Sequence, residues 1–524
     1  MSEKRDNKTY WFLPSLSGVI FITVLVLILG GEGNLLGDAD TGYHIRAGEY
    51  IIDNLEVPDH DIFSFIHPPI PWTAHEWLSE VLYALIHSIS GLSGIVVVHA
   101  FVIAVVFLIL FKFLRASGIS IIVAVFIVAL SASVSTIHWL ARPHIFSLLF
   151  TLIFYIVLDT YQNKKKNCLY ILPLLMIVWV NLHGGFLAGF LLLGVYVTGN
   201  LINAIFKKEV RHETAGKLRL LFLFTTLTLL ASLLNPKGYE ILLFPFRLIG
   251  NKFIMDHVTE FLSPNFHADL RFEYMLLLMI FVFSVSIFRL NSIEAMLVLL
   301  FTHMSLYSAR YIPLYAIVLS PIIGKRIDYL LGELRERKLV KRFLELSERT
   351  GRIDSLTRWN VWSFTAVIIA FIFLFTGKVQ YGFDEEKLPI NAVQFMKKEK
   401  IPGRMFNNDE FGDYIIYAAW PEYRVFFDGR SDMYGEERMK EYFKVTRLER
   451  GWKEVLAKYD INWFIFPTKS ALSTFLLQRD EWKLIYADKV ANIFIKNTSG
   501  NQYLINKYQE VKPVIVDDEE KIDD

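Results

Sequence analysis

Two aspartates and a histidine stand close together in Gly37-Asp38-Ala39-Asp40-Thr41-Gly42-Tyr43-His44, just after a hydrophobic run at about residues 12–31. The run is long enough to span a bilayer as a helix. Charged groups at membrane depth are costly unless they face water or a partner. A carboxylate placed there can take a proton from an attacking hydroxyl. Asp-x-Asp also offers oxygen ligands to Mg²⁺ or Mn²⁺, which often bridge to phosphate. The plainer role is capping, since Asp is a favoured helix N-cap. The chemical readings suggest a membrane-embedded enzyme acting at the outer surface, with Asp38 and Asp40 as catalytic residues, metal ligands or both.

Further polar residues sit at the ends of other apolar runs. Arg142, in Ala141-Arg142-Pro143-His144, and Arg310, in Ser308-Ala309-Arg310-Tyr311, each lie at a membrane boundary. A guanidinium donates two parallel hydrogen bonds and suits phosphate; it also snorkels to lipid headgroups. Asn181 and His183 flank a turn that the pair Gly184-Gly185 explains by itself. His44, His75, Glu76, His138, His144 and Asn235 complete the set, and span alternation puts all of these on the face of the Asp pair. Arg430 belongs to the polar loop Phe427-Asp428-Gly429-Arg430-Ser431-Asp432-Met433-Tyr434-Gly435. That loop is open to a functional reading or to an ordinary turn with a local salt bridge. A lone histidine at a span end is commonly an interfacial hydrogen-bonded residue; the gathering of several is what points to a site.

The elements that position these residues are mainly membrane spans. Of the 524 residues, 53% are hydrophobic, as in polytopic membrane proteins. Net charge is +1, which gives no field for nucleic acid. The single cysteine, Cys168, excludes an internal disulfide, and the first apolar run reads as a signal anchor rather than a cleaved signal. About eleven spans are expected, near 12–31, 92–114, 118–136, 143–161, 168–182, 185–206, 217–234, 273–289, 292–308, 311–324 and 359–376. Basic residues fall on one side of this alternation: Lys4, Arg5 and Lys8; Lys112 and Arg115; Lys164 to Lys166; Lys207, Lys208, Arg211, Lys217 and Arg219; and ten Lys and Arg in the linker 325–358. The loop 32–90 carries one Arg against ten Asp and Glu. Basic loops stay cytoplasmic, so the N-terminus is expected inside and the C-terminus outside.

Loop 32–90 should hold interfacial helices, one near 48–54 and an amphipathic one over 72–83 with tryptophan anchors. Beyond the last span, short apolar strands near 404–406, 425–427, 463–466, 483–486 and 491–495 alternate with helical stretches and predict a small α/β domain. The expected organisation is a transmembrane domain over 1–376, an extracytoplasmic domain over 377–510 and an acidic disordered tail over 511–524.

The early Asp38-Ala39-Asp40, the long outer loop, the many spans and the C-terminal outer domain resemble the GT-C superfamily of glycosyltransferases. The phrases DADTGYH, HEWL, ARPH, NLHGGF, LLNPKGY and FFDGRSDMYG are similar to a little-characterised set of prokaryotic membrane proteins with that plan. The resemblance covers nearly the whole chain. It implies a polyprenyl-phosphate-linked sugar donor and a catalytic carboxylate in the first outer loop, here Asp38 or Asp40; a divalent metal is present in some members and absent from others. The Trp-Trp-Asp signature of asparagine-glycosylating oligosaccharyltransferases is missing, as is a nucleotide-sugar fingerprint.

The expectation is an α-helical polytopic membrane protein, GT-C-like, with a C-terminal α/β domain, in the plasma (inner) membrane. It would move a sugar from a polyprenyl-phosphate donor to a glycan, lipid or protein acceptor. Arg142 or Arg310 would hold the donor phosphate, and His44, His75, Glu76, His144, Asn181, His183 and Arg430 would help bind or position substrate. Two rival classes are a transporter or flippase of lipid-linked precursors and a non-catalytic scaffold for envelope assembly. Transporters place ionisable groups near the midplane and show paired repeats; here the groups sit at one face and no repeat is visible.

Overall fold

A computed structural model describes residues 13–31, 34–164, 166–206, 211–357, 361–378 and 380–514. The basic residues Lys4, Arg5, Lys8, Lys165, Lys207, Lys208 and Arg358, and the acidic run 517–524, lie outside the described residues. In chain order the helices are α1 (Leu16–Gly30), α2 (Asp40–Asn54), α3 (Trp77–Ala116), α4 (Ile121–Ser135), α5 (His144–Lys164), α6 (Ile171–Leu182), α7 (Leu187–Phe206), α8 (Arg211–Ala231), α9 (Glu240–Gly250), α10 (Lys252–His257), α11 (Arg271–Val285), α12 (Ser292–Tyr307), α13 (Ile312–Glu333), α14 (Lys338–Ser355) and α15 (Val361–Phe375). Then come α16 (Ile390–Glu399), β1 (Arg404–Asn407), α17 (Asp409–Ala419), α18 (Ser431–Thr446), α19 (Trp452–Lys458), β2 (Ile461–Pro467), α20 (Ala471–Leu477), β3 (Trp482–Ala487), β4 (Ala491–Lys496) and α21 (Gln502–Lys507).

The chain divides into two compact units. Unit 1 comprises 1–35, 92–246 and 255–380; unit 2 comprises 36–91, 247–254 and 381–524. One division falls inside α3, where Gly91 leaves helical geometry at φ 62°, ψ −159°. Glycine adopts such angles without the clash a Cβ would make.

Unit 1 is a helical bundle. Each of the eleven apolar segments expected from the sequence contains a helix among the described residues, and the number that cross a membrane is a separate question of length and composition. Among the described residues, five helices are long and apolar enough to cross a membrane: Trp77–Ala116, Ile121–His138, His144–Lys164, Gly184–Phe206 and His212–Ala231; four shorter apolar helices accompany them. The protein is therefore a membrane protein, mostly helical. Side chains close the helix starts: the Ser15 hydroxyl accepts the Gly18 amide, and Asn291 with Glu294 forms a capping box at α12.

Unit 2 is built on a four-stranded sheet in the order β1-β2-β4-β3. β1 and β2 are parallel; the other pairs are antiparallel. Trp463, Phe464, Ile465 and Phe466 of β2 are all buried, as a strand covered on both faces requires. Segment 425–427 is not a fifth strand. The Asn407 side chain accepts the Phe426 amide and donates to the Phe427 carbonyl, so these backbone groups pair with a side chain instead of a ladder.

Loop 32–90 also differs from expectation. α2 begins at Asp40, and Thr41, Tyr43, His44, Ile45, Ala47 and Ile51 on it are buried, so it is packed rather than interfacial. The helix expected from Trp72 begins at Trp77. Trp72 is buried, with its ring beside Phe63 and the Arg430 guanidinium 4.7 Å from its centre. That cation–aromatic contact makes it a core residue of unit 2 rather than a membrane anchor.

Candidate functional site

The residues singled out by sequence fall into two groups, one in each unit. In unit 2, α2 is held against α17 by a close crossing. A Cβ on Gly42 would lie 2.7 Å from the Tyr417 Cβ and 3.0 Å from the Asp413 carbonyl oxygen. Arg46 Nε and Nη2 both donate to the Tyr417 carbonyl, at 2.8 and 2.6 Å. This crossing fixes the start of α2, where the Asp pair stands. Asp38 Oδ1 accepts the Asp40 amide at 3.2 Å, so Asp38 serves the helix start at the same time. Asp40 lies in the first turn, where a negative charge is favoured by the helix dipole. Its Oδ1 and Asp413 Oδ2 are each 2.9 Å from where a Gly429 Cβ would sit. Both Asp413 oxygens also accept the Gly429 amide, at 3.1 and 3.2 Å. Two carboxylates thus flank the Gly429 backbone, and a side chain there would have to push them aside.

His44 is buried, with Nε2 3.7 Å from Glu76 and Nδ1 3.6 Å from Glu80. His75 Nε2 lies 3.7 Å from the other Glu76 oxygen. Burial first, then the negative charges of Glu76, Asp40, Glu80 and Asp413, push the Tyr43 hydroxyl well above its ordinary range. The neighbourhood of Tyr43 is therefore strongly acidic and suits proton acceptance or cation binding.

Arg430 is buried behind this group. It donates to Asp428 through Nε and Nη2, at 2.8 and 2.7 Å, and to Asp61 through Nη2 at 2.8 Å. The rings of Phe63, Trp72 and Tyr43 surround its guanidinium at 4.8, 4.7 and 5.9 Å. Burial alone would raise the Asp61 carboxyl, but Arg430 and the Ser64 and Phe63 contacts hold it below its ordinary range. These partners tie the 428–430 loop to loop 58–76.

In unit 1, Arg142, His144, His183 and Arg310 come together, with His138. The rings of His138 and His144 lie 5.4 Å apart, and those of His144 and His183 lie 6.4 Å apart. They line a small cavity of about 70 Å³ that Arg310 and Tyr311 also border. The ring nitrogens have defined roles. His144 Nε2 donates to the His138 carbonyl at 2.6 Å. His183 Nδ1 accepts the Gly185 amide at 2.9 Å and the Ser147 hydroxyl at 2.6 Å, and Trp179 Nε1 in turn donates to Ser147 at 2.7 Å. A backbone amide only donates, so the proton of a neutral His183 resides on Nε2.

Glu260 joins the two arginines: it pairs with Arg142 Nη1 and lies 3.8 Å from Arg310 Nη1. Burial would raise its carboxyl, yet the two guanidiniums drive it far below the ordinary range. One carboxylate between two guanidiniums leaves a net positive charge. Asn181 has a different placement: its Nδ2 donates to the Ile177 and Leu234 carbonyls, at 2.7 and 2.9 Å, tying α6 to the chain just after α8. Asn235 Nδ2 closes its own turn through the Ser232 and Gly238 carbonyls.

Several partners carry no motif. Asp61, Glu80, Asp413, Glu260 and Ser147 join these groups only through the fold. No cluster of three or more His, Cys, Asp and Glu suited to a metal is found among the described residues. Mg²⁺ takes as few as one or two carboxylates and completes its shell with water and phosphate, so the donor chemistry of Asp40 with Asp413 fits it.

A bundle of apolar helices, with a separate unit built on a mixed sheet, defines a membrane protein of composite α and α/β design. No protein-family model and no curated protein sequence matches the chain. Solved structures do. The archaeal oligosaccharyltransferase AglB from Archaeoglobus fulgidus, in complex with an inhibitory peptide and a dolichol-phosphate, superposes with a TM-score of 0.55 at 12% identity, covering 87% of this chain and 69% of that one. The same enzyme in the apo form gives 0.53 at 11% identity, covering 92% and 74%. ArnT from Cupriavidus metallidurans, bound to undecaprenyl phosphate, gives 0.45 at 11% identity, covering 92% and 98%. The structural neighbours are GT-C superfamily membrane glycosyltransferases, and the chain shares the fold of the archaeal enzyme.

Proposed function

We propose that the protein is a membrane glycosyltransferase that moves a sugar from a polyprenyl-phosphate-linked donor to an extracytoplasmic glycan, lipid or protein. The unit 1 cavity supports this reading: Arg310 lines it with three histidines and mainly apolar side chains, and Arg142 joins Arg310 through Glu260, so a net positive charge lies where a phosphate on a lipid tail would fit. The fold adds to it, because the archaeal neighbour was solved with a dolichol-phosphate and a peptide. Arg142 and Arg310 hold the phosphate and stabilise the charge that grows on it as the sugar leaves. Glu260 orients both guanidiniums. His183, donating through Nε2, and His144 shape the cavity around the ligand.

Unit 2, taken by itself, holds the candidate catalytic carboxylates. Asp38 or Asp40 takes the proton of the acceptor hydroxyl or orients it. His44, His75 and Glu76 position the pair, and Arg430 holds the loop that presents Gly429. A divalent cation, Mg²⁺ or Mn²⁺, held by the Asp pair with Asp413 would supply positive charge within unit 2. The site is read as extracytoplasmic, with the N-terminus inside and unit 2 outside, in the inner membrane.

Binding tests the cavity. Purified protein should bind a polyprenyl phosphate more tightly than the matching polyprenol. Arg142→Gln and Arg310→Gln should weaken the phosphate ligand about tenfold or more, the scale of a lost charge-assisted hydrogen bond. The Lys variants should recover only part, since an ammonium lacks the bidentate fork. Equal binding of phosphate and alcohol, or unchanged binding in both Gln variants with unchanged thermal stability, would remove the phosphate site.

A further inference from the structure

Between the apolar helices α13 and α15 lies a helix of different character. α14 is 18 residues long and carries Lys338, Lys341, Arg342, Arg349 and Arg352 against Glu345, Glu348 and Asp354. Its contacts fix its place in unit 1. Ser347 Oγ accepts the Ile122 amide at the start of α4, at 3.4 Å. Asp354 Oδ1 accepts the Leu16 amide at the start of α1, at 2.7 Å. Ser120, just ahead of α4, donates through its hydroxyl to Asp328 of α13 at 2.6 Å. α14 therefore sits at the end of the bundle where α1 and α4 begin. From Ser347 to Asp354 is seven residues, about 10 Å of helix, close to the usual separation of packed helices. The helix runs across helix ends, not along them.

Its exposed surface is divided. Leu339, Leu346 and Ile353 recur every seven residues and so share one face; they are 79%, 55% and 49% exposed. Ser347 is buried toward the bundle. Between residues 335 and 355 there are seven Lys and Arg against four Asp and Glu. We propose that α14 lies in the interface of the membrane that its neighbours cross. The Leu339–Leu346–Ile353 stripe enters the acyl boundary, and the basic residues rest on anionic lipid headgroups. An apolar stripe beside a basic rim, on a helix lying across span ends, is the pattern of an in-plane interfacial helix. The charge excess selects an anionic surface over a zwitterionic one.

The test uses the full chain with Cys168→Ser and one environment-sensitive fluorophore, at Leu346→Cys or at Glu348→Cys. Each labelled protein is reconstituted in phosphatidylcholine vesicles with or without phosphatidylglycerol. Brominated acyl chains should quench the Leu346→Cys probe about twofold or more beyond the Glu348→Cys probe, as expected for a stripe at the acyl boundary. Phosphatidylglycerol should deepen that quenching, and Arg342→Gln with Arg349→Gln should cancel the gain. A Leu346→Cys probe quenched from water and not by bromolipid overturns the proposal. So does a probe shielded from both quenchers, which assigns the stripe to a protein contact. Quenching that is indifferent to phosphatidylglycerol overturns the anionic-lipid assignment.

Discussion

At the residue scale, the buried ion pair of Asp61 and Arg430 gives the clearest prediction. Removing one partner of such a pair leaves an uncompensated charge and costs about 3–5 kcal/mol. Asp61→Asn should therefore lower the unfolding midpoint of the protein. The pH dependence follows from the same contact. The folded carboxyl lies below its ordinary range, so its stabilisation is complete above the unfolded value of about 3.9. It is lost as pH falls through the lowered folded value. Thermal unfolding between pH 7 and pH 2 should show an acid loss in wild type that is smaller in Asp61→Asn. Asp61 and Arg430 are 369 positions apart, and no spacing rule could have joined them. The Asp pair and the two arginines were legible because each stands at the edge of an apolar run. Asp413 and Glu260 were not, since a carboxylate inside an ordinary helix or loop looks like surface until folding brings its partners.

At the scale of elements, the close passage of α2 past the start of α3 sets unit 2. A Cβ on Gly48 would lie 1.9 Å from the Glu80 carbonyl oxygen, a backbone atom that cannot swing away. Gly48→Ala should destabilise by roughly 3 kcal/mol or more, at the severe end of overpacking. Gly194→Ala, on α7, meets nothing within 4 Å and should be tolerated; equal unfolding midpoints for the two variants would contradict the packing. The apolar helices were readable because a long apolar run in lipid must satisfy its backbone internally. Two departures from the expected elements have local causes: the Asn407 side chain takes the Phe426 amide and Phe427 carbonyl, leaving Val425 an isolated bridge to Ser64, and Arg430 packs on Trp72 in the core.

At the scale of the whole molecule, the charge pattern predicts a topology. Basic loops stay cytoplasmic, so a reporter fused in the linker near residue 337 should read inside and one fused after residue 510 outside. A cytoplasmic signal from the C-terminal fusion would move the proposed chemistry to the other face. Sugar transfer by the purified protein separates an enzyme from a transporter or a scaffold. Purified protein, given a polyprenyl-phosphate-linked sugar and envelope acceptors, should form a glycosylated product. Asp38→Asn and Asp40→Asn should both keep their fold, because Asn at 38 still accepts the Asp40 amide and Asn at 40 keeps the shape of the side chain it replaces, and at least one should lose about 10²-fold in rate, the scale of a positioned proton acceptor. Adding a chelator to the same assay separates the two roles: inhibition assigns the pair to a cation, and indifference assigns it to direct proton acceptance. Full transfer by both stable Asn variants would refute the catalytic role of the pair, and no transfer by wild type from any such donor would refute the enzyme.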